Sequence, residues 1–447
     1  MTRWHLTHRV CLSAIARRKL LKSTVAALAA ALSFASCDSA STSNQQTPAN
    51  DEALSSKPCD ALEKLVEPNG GYGGAILTIA RFDGQVLIRC ATGERIHDSG
   101  TDIEATDLFE IASISKLFTA ATILGLVDNK LLASLDTKLA DVTAPDGSKM
   151  NPEIYANLVF DSEGEDRSSE LTIRKLLTQR NGLVDYWDDE NFLKEYCADP
   201  NRLWQPEELI EFVRMSDAEW VGTASLEDVK FNYTDTGYVL LGFVIETATG
   251  IALRDAYADF IYKRTSQPLQ STYMEWRQPP PNTNQPRLSH RYEEQCSARG
   301  IPQDITVQER QTAEWAGGGL ISTSADLTLF AASLLGAQFF DKDLTAELKK
   351  SLMPVMDTQS YGFGLMELEA GDIKYVGHTG HGDAFSYAVS ELELVISGTF
   401  NNASAMSDGA EDDSLIGDRV ARLLEAIAVD LPAVAARKHE RPSPAAS

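Results

Sequence analysis

Ser113 and Lys116 are the residues in this chain whose types and spacing point most directly to chemistry. Residues three apart on a helix share a face, so the Lys116 amine can lie beside the Ser113 hydroxyl. A serine hydroxyl is a weak nucleophile until something takes its proton, and a lysine can take it once desolvation or a neighbouring cation leaves a neutral amine. Ser113 is then the nucleophile and Lys116 its proton acceptor. A Ser-x-x-Lys arises by chance roughly once or twice in a chain this long, and it reads equally as a capped helix start with a solvated lysine. Ser113 is the one serine with lysine at the third position after it, which leaves a single candidate to test against the rest.

Two further stretches supply what that pair needs. Phe231-Asn232-Tyr233-Thr234-Asp235-Thr236-Gly237-Tyr238 precedes an apolar helical run, Val239 to Thr247. A Tyr233 phenol held between lysine and serine could shuttle protons to a leaving group, as phenolate or as relay. Alone, it would read as a packed or surface tyrosine in a turn. Nearer the C-terminus, Gly377-His378-Thr379-Gly380-His381-Gly382 ends a strand. Glycine there lets a substrate backbone lie against the strand edge, and a main-chain N–H beyond Gly380 could face a developing oxyanion. By itself the stretch is a glycine-rich turn with two incidental histidines. The sequence has no Gly-x-Ser-x-Gly elbow and no His-Glu-x-x-His helix. His378 and His381 are spaced as His-x-x-His, but no neighbouring residue completes a zinc set, so no metal or organic cofactor is expected.

These groups must be carried to their place by the elements around them. Residues 1–36 hold Arg3, Arg9, Arg17, Arg18, Lys19 and Lys22 with no acid, then the apolar run Val25 to Ala35, and read as an export signal outside the fold. Arg17-Arg18-Lys19-Leu20-Leu21-Lys22 resembles the twin-arginine export pattern of bacteria. Phe34-Ala35-Ser36-Cys37 resembles a lipoprotein box with Cys37 as the acylated residue. An ordinary cleaved signal ending near a cysteine is the alternative, and Asp38 resembles the residue that retains such lipoproteins at the inner membrane of some Gram-negative bacteria. The membrane is then reached by a lipid anchor only, because no other segment is long and apolar enough to span a bilayer. Residues 37–58, rich in Ser, Thr, Asn, Gln and Pro, read as a flexible tether, residues 59–431 as the folded body, and the Ala- and Pro-rich stretch 432–447 as a disordered tail.

Removing residues 1–36 takes away six of the 40 basic residues and none of the 65 acidic ones, leaving a formal charge of −31. That charge excludes nucleic acid as a partner and suits a soluble exported domain. Cys59, Cys90, Cys197 and Cys296 permit two disulfides in three pairings. Ala61 to Val66 reads as a helix end, and Gly73 to Phe82 and Gln85 to Thr92 as strands joined at Asp83-Gly84. An amphipathic helix follows from Ser113 to about Asn129, then a mainly helical subdomain over about 130–312. Ile373 to Gly377, Ala384 to Ser390 and Leu392 to Phe400 are strand-like, and Asp413 to Val429 is helical. Two strands before the helical insert and three after it suggest one antiparallel sheet made from both ends of the chain.

The three stretches together, in this order, resemble the penicillin-recognising serine hydrolases: class C β-lactamases, D-alanyl-D-alanine carboxypeptidases and their esterase relatives. The resemblance extends to Ile173 through Leu183, with Leu176-Leu177-Thr178-Gln179, to Ala316 through Leu327, and to Tyr361-Gly362-Phe363-Gly364-Leu365. It implies an α/β (α+β) fold in which an antiparallel sheet is flanked by helices, with an inserted all-helical subdomain and the site between them. It further implies nucleophilic attack by Ser113, proton movement by Lys116 and Tyr233, an oxyanion held by the N–H groups of Ser113 and His381, and an acyl-enzyme released by water. His378 takes the family's Lys or His position and Thr379 would contact a substrate carboxylate, with Asp235 and Gly380 also on the substrate. The implied fold brings the first helix near the second strand, which favours Cys59 with Cys90. Asp235 replaces the asparagine usual in β-lactamases and carboxypeptidases, and an ionised Asp235 can only accept hydrogen bonds. Met366-Glu367 stands where family carboxypeptidases often place an arginine. Both changes turn the preference toward a neutral ester or amide, or a cationic substrate end. The partner is a small-molecule or peptide acyl substrate; an esterase or D-amino-acid amidase of the same fold, and a non-catalytic envelope protein sensing cell-wall fragments, are the alternatives.

Overall fold

A strand buried on both faces needs apolar residues at successive positions, and the runs that meet this requirement come from opposite ends of the chain. The computed structural model describes residues 49–66, 73–161, 163–215, 229–274, 287–293, 296, 303–306, 312–336, 338–356, 358–401 and 417–437. Before Ser113 lie β1 (Gly74–Arg81), β2 (Val86–Ile96), β3 (Thr101–Asp102) and β4 (Phe109–Glu110). The middle of the chain adds β5 (Tyr273–Met274), β6 (Tyr292–Glu293), β7 (Gln303–Asp304) and β8 (Leu320–Ser322). The last third supplies β9 (Met353–Met356), β10 (Gln359–Tyr361), β11 (Met366–Ala370), β12 (Ile373–Gly380), β13 (Ala384–Val389) and β14 (Leu394–Phe400). Nine of these form one antiparallel sheet in the order β3-β2-β1-β14-β13-β12-β11-β10-β9. The first and last strands of the fold thus meet at its centre, where Ala75 faces Phe400 and Arg81 faces Leu394.

Alternation along β1 sorts its side chains between two cores. Ala75, Leu77 and Ile79 pack with Val420, Leu423, Leu424 and Ile427 of the helix Asp418–Ala428. The spacing of those four is that of a helix with one apolar face. On the other face Ile76 joins the larger core beneath the helical part of the chain, and the Thr78 hydroxyl lies 2.8 Å from that of Ser324 at the start of the helix Ser324–Leu335. Two disulfides, Cys59–Cys90 and Cys197–Cys296, use one of the three possible pairings. The first ties the helix Ala49–Val66 to β2.

Several expectations need correction. The helix Ala49–Val66 takes in the second half of the stretch read as a tether. At the other end, Leu431–Ala435 is a short helix with Leu431 and Val434 buried in the core, so residues 432–435 do not belong to a tail. The sheet is wider than five strands: β9, β10, β11 and the two-residue β3 are too short or too mixed in polarity to stand out by periodicity. The middle is not all-helical either, since β5 pairs with β8 and β6 with β7. Residues 1–37, with the export signal and Cys37, lie outside the described residues, as do residues 413–416 and 438–447. Among the described residues no single helix is long and apolar enough to cross a membrane.

The Cys59–Cys90 bridge closes a loop spanning 31 residues. Loss of that constraint on the unfolded chain is worth about 4 kcal/mol. Cys59→Ser is therefore expected to lower the urea midpoint and to steepen the slope, because the unfolded chain exposes more surface without the cross-link, and an unchanged midpoint would show that the cross-link does not restrain the unfolded state.

Candidate active site

The chain enters the site along β4, whose Phe109 and Glu110 pair with Ser322 and Ile321. Ala112 then adopts φ +43°, a left-handed conformation that costs a residue with a Cβ about 1–3 kcal/mol. That turn leads into the short 3-10 segment Ala112–Ile114 and directly on into the helix Ser115–Asp128. Ser113 therefore sits just ahead of a helix N-terminus, where the dipole favours developing negative charge. The continuous helical sense brings Lys116 Nζ to 3.0 Å from Ser113 Oγ. The helix is not amphipathic as expected; every residue from Ser115 to Leu126 is buried. Its polar groups are satisfied inside: Thr119 donates to the Ala316 carbonyl at 2.6 Å, and Ser115 Oγ accepts from the Leu320 amide at 3.2 Å.

Lys116 has no exposed surface. Its ammonium contacts three acceptors: Ser113 Oγ, the Gly317 carbonyl at 3.0 Å, and the carboxylate of Asp235. It also lies 4.9 Å from the centre of the Tyr233 ring, within cation–π range. Asp235, expected on the substrate, is thus an ion-pair partner of the lysine. Tyr233 and Asp235 are carried on the entry to the helix Thr236–Thr249. Gln179 holds that entry by both ends of its amide, accepting from the Thr234 N–H at 3.2 Å and donating to the Thr234 carbonyl at 2.9 Å. Asp185 Oδ2 accepts from the Asp235 N–H at 2.8 Å. Burial, reinforced by the Asp235 charge, pushes the Tyr233 phenol well above its ordinary range, while a hydrogen bond to Ser113 acts the other way. The resting group is a neutral phenol, which suits it to relay a proton and not to serve as a standing phenolate.

The third stretch runs along β12. That strand pairs with β11 only up to Gly377, but with β13 through Gly380. From His378 to Gly380 one edge is therefore free of ladder bonds on the β11 side. Gly380 packs against the Ile111 carbonyl, with which any Cβ would collide. His378 is fully buried, and its Nδ1 lies 2.6 Å from the Thr379 carbonyl. Burial, helped by the Lys116 charge, pushes the ring down to about 3, so it is neutral at physiological pH. The Thr379 hydroxyl is 2.5 Å from that of Tyr387. A substrate carboxylate would meet no cationic His378 here. His381 is half-exposed, and its Nε2 lies 3.2 Å from Glu293. Among the described residues neither the Ser113 nor the His381 amide donates to another protein group.

Sequence reasoning quoted Gln179 and the Gly317 turn without giving either a role, and it passed over Asp185, Arg291, Glu293 and Glu314. Glu314, whose main chain opens the glycine-rich turn, is pushed up to about 6 by burial and then by the Asp235 charge. Among the described residues no group of three or more His, Cys, Asp or Glu is arranged to hold a metal ion.

A family model described as Beta-lactamase matches residues 62–421. A D-aminopeptidase of Cereibacter sphaeroides is 24% identical over 326 residues, covering 72% of this chain and 54% of the relative. The chain thus spans about half the length of that relative. Penicillin-binding protein 4* of Bacillus subtilis is 26% identical over 345 residues, 73% of this chain and 67% of the relative. Among solved structures, the D-amino acid amidase of Ochrobactrum anthropi SV3 complexed with D-phenylalanine superposes with a TM-score of 0.63 at 20% identity, covering 83% of this chain and 99% of that one.

The contact of Gly380 with Ile111 sets how closely the strand edge approaches the turn that carries Ser113. Gly380→Val is expected to push the two apart and lower kcat/KM for any acyl substrate by about 100-fold, the loss that follows an ångström of misplacement. Wild-type rates in that variant would remove the strand edge from the site.

Proposed function

The chain belongs to the β-lactamase family of serine hydrolases, and from that premise we propose that it cleaves amides or esters of small amine-bearing acyl groups, D-amino acid amides and D-aminoacyl peptides foremost, through an acyl-enzyme on Ser113. The observation that carries this reading is Ser113 Oγ held 3.0 Å from a buried lysine and bonded to a neutral phenol, at a helix start beside an open strand edge.

The arrangement supports a specific order of proton movements. As an ammonium with three bonded N–H groups, Lys116 has no lone pair; it must release a proton before it can act as base, and Asp235 is the carboxylate in contact with it. The neutral amine then takes the Ser113 proton as Oγ attacks the carbonyl. The oxyanion forms where the Ser113 and His381 amides can meet it. As the tetrahedral species collapses, the Tyr233 phenol protonates the leaving nitrogen and regains a proton from Lys116, and Asp235 returns the proton that it held. Water attacking the acyl-enzyme repeats the sequence in reverse roles.

Preference for an amine over a terminal carboxylate is supported by the neutral buried His378, by the acidic residues Asp235 and Glu314 near the lysine, and by Met366-Glu367. It agrees with the names of the D-aminopeptidase and D-amino acid amidase relatives. A cell-wall carboxypeptidase acting on D-alanyl-D-alanine ends is the second reading, favoured by the penicillin-binding relative. Export and lipid attachment at Cys37 belong to the same proposal. They rest on the basic and apolar residues 1–36 and are supported by two disulfides, which persist in an oxidising compartment.

Purified residues 49–437 would be offered D-phenylalanine amide, p-nitrophenyl acetate and benzylpenicillin, with intact mass followed beside turnover. Amide and ester hydrolysis without a lasting penicilloyl adduct is expected. Ser113→Ala should abolish turnover, and Tyr233→Phe should lower kcat by about 10²–10⁴-fold. A stable penicilloyl adduct on Ser113 with no amide hydrolysis would instead favour the carboxypeptidase, and full activity in Ser113→Ala would end the serine mechanism.

A further inference from the structure

Outside the three motifs, a chain of buried charges links the two main-chain groups assigned to the oxyanion. Glu110 lies three residues before Ser113 and accepts from Arg291 Nη1 at 3.2 Å. Arg291 Nη2 donates to Glu293 Oε1, and the same oxygen lies 3.2 Å from His381 Nε2. The side chains of Glu110, Arg291 and Glu293 are 2%, 7% and 5% exposed. These charges have been taken out of water, where only close pairing offsets the desolvation cost. Nothing in the proton movements described above uses them.

Their position suggests what they do. His381, Gly382 and Asp383 form the turn between β12 and β13, with Gly382 at φ +84° and Asp383 at φ +63°. A Cβ on Gly382 would lie 2.7 Å from Arg291 Nε, so the guanidinium packs directly beneath the turn. On the far side Asp383 Oδ2 is bound by Arg419 at 3.0 and 2.9 Å. The turn is therefore gripped from two sides. The strand β6, which carries Glu293, pairs with β7 over two residues, and main-chain bonds from Tyr292 to the Asn401 carbonyl at 3.2 Å and from Ser289 to the Leu108 carbonyl at 2.7 Å hold the same segment beside the ion pairs.

We propose that Arg291 and Glu293 are positioning residues for the oxyanion hole: by tying Glu110, ahead of Ser113, to His381, they fix the separation of the two amide N–H groups. The inference rests on the acyl-enzyme reading above. The charged groups around this chain are Glu110 on β4, Arg291 just before β6, Glu293 on β6, Glu314 before the glycine-rich turn, and Tyr196 facing Arg291. The Glu293 charge raises His381 above its ordinary range against burial and Arg291, with Glu314 adding to the rise. Burial alone would raise Glu293, but Arg291 and His381 together hold it down to about 2. The sign follows: the His381–Glu293 ion pair is complete below the ordinary histidine range and is lost as pH rises through the elevated His381 value. Part of the alkaline fall in activity should come from that loss.

The test is p-nitrophenyl acetate hydrolysis by wild type, Glu293→Gln and His381→Ala, with rates per folded protein, together with hydrogen exchange of the amides around residue 381. Glu293→Gln is expected to lower kcat by about 10–100-fold, below the loss from deleting an oxyanion donor outright, with KM within about twofold and the part of the alkaline limb that belongs to the ion pair abolished. His381→Ala, altered at a half-exposed side chain, should lower kcat similarly while folding normally. Exchange at residues 380–382 should accelerate in both. A lowered melting temperature with kcat, pH profile and exchange unchanged would reduce the network to a structural role and overturn the proposal. If wild type shows no Ser113-dependent turnover, the acyl-enzyme reading fails, whereas unchanged exchange in folded Glu293→Gln overturns the tether independently of turnover.

Discussion

A lysine with no exposed surface has to find its acceptors inside the protein, and Lys116 draws one from its own turn and two from distant parts of the chain. Ser113 comes from its own helix, Asp235 from the entry to a helix more than a hundred residues on, and the Gly317 carbonyl from the glycine-rich turn 201 residues away. Removing one partner of a buried pair leaves a charge uncompensated, at a cost of about 3–5 kcal/mol. The neighbouring architecture can be understood as the means of delivering those acceptors. Gln179 grips Thr234 so that Tyr233 and Asp235 are presented together, and Gly317 lies so close to the ammonium that a Cβ there would stand 3.6 Å from Nζ.

The sheet contributes the other half of the site. Its centre is made from β1 and β14, which joins the chain ends and leaves the long middle of the chain free to form the opposite wall. Because β11 stops pairing at Gly377 while β13 continues to Gly380, the last three residues of β12 lie against the Ser113 turn with no ladder partner on the β11 side. Ala112 bears a left-handed conformation at the point where β4 becomes helix, and Gly380 packs against the carbonyl just before it. Strain and close approach thus coincide just before Ser113.

Charge in this protein is differently arranged inside and out. The chain as a whole carries a formal net charge of −25. Within the site, the same sign is used in pairs: Asp235 against Lys116, Asp383 against Arg419, and Glu110 and Glu293 around Arg291. His378 departs from that pattern, since its ring is buried beside a cation and stays neutral.

What the sequence by itself determined is what local geometry settles. Ser113 and Lys116 meet because a helix brings residues three apart onto one face, and β1, β13, β14 and the helix Asp418–Ala428 could be read from the periods of their apolar residues. The order of the three motifs, carried by the residues themselves, pointed to the fold. Tertiary structure decided the rest. Whether Asp235 faces substrate or lysine, whether His378 is charged, and how Arg291 bridges Glu110 to Glu293 depend on contacts between elements far apart in the chain. The two-residue strands β4 and β6 carry no period to read, and the helix Ser115–Asp128 lacks its expected polar face because packing on all sides satisfies its Ser and Thr groups internally. Burial and partnership belong to the packed fold, and they decide the protonation state and direction of each side chain that the sequence could only name.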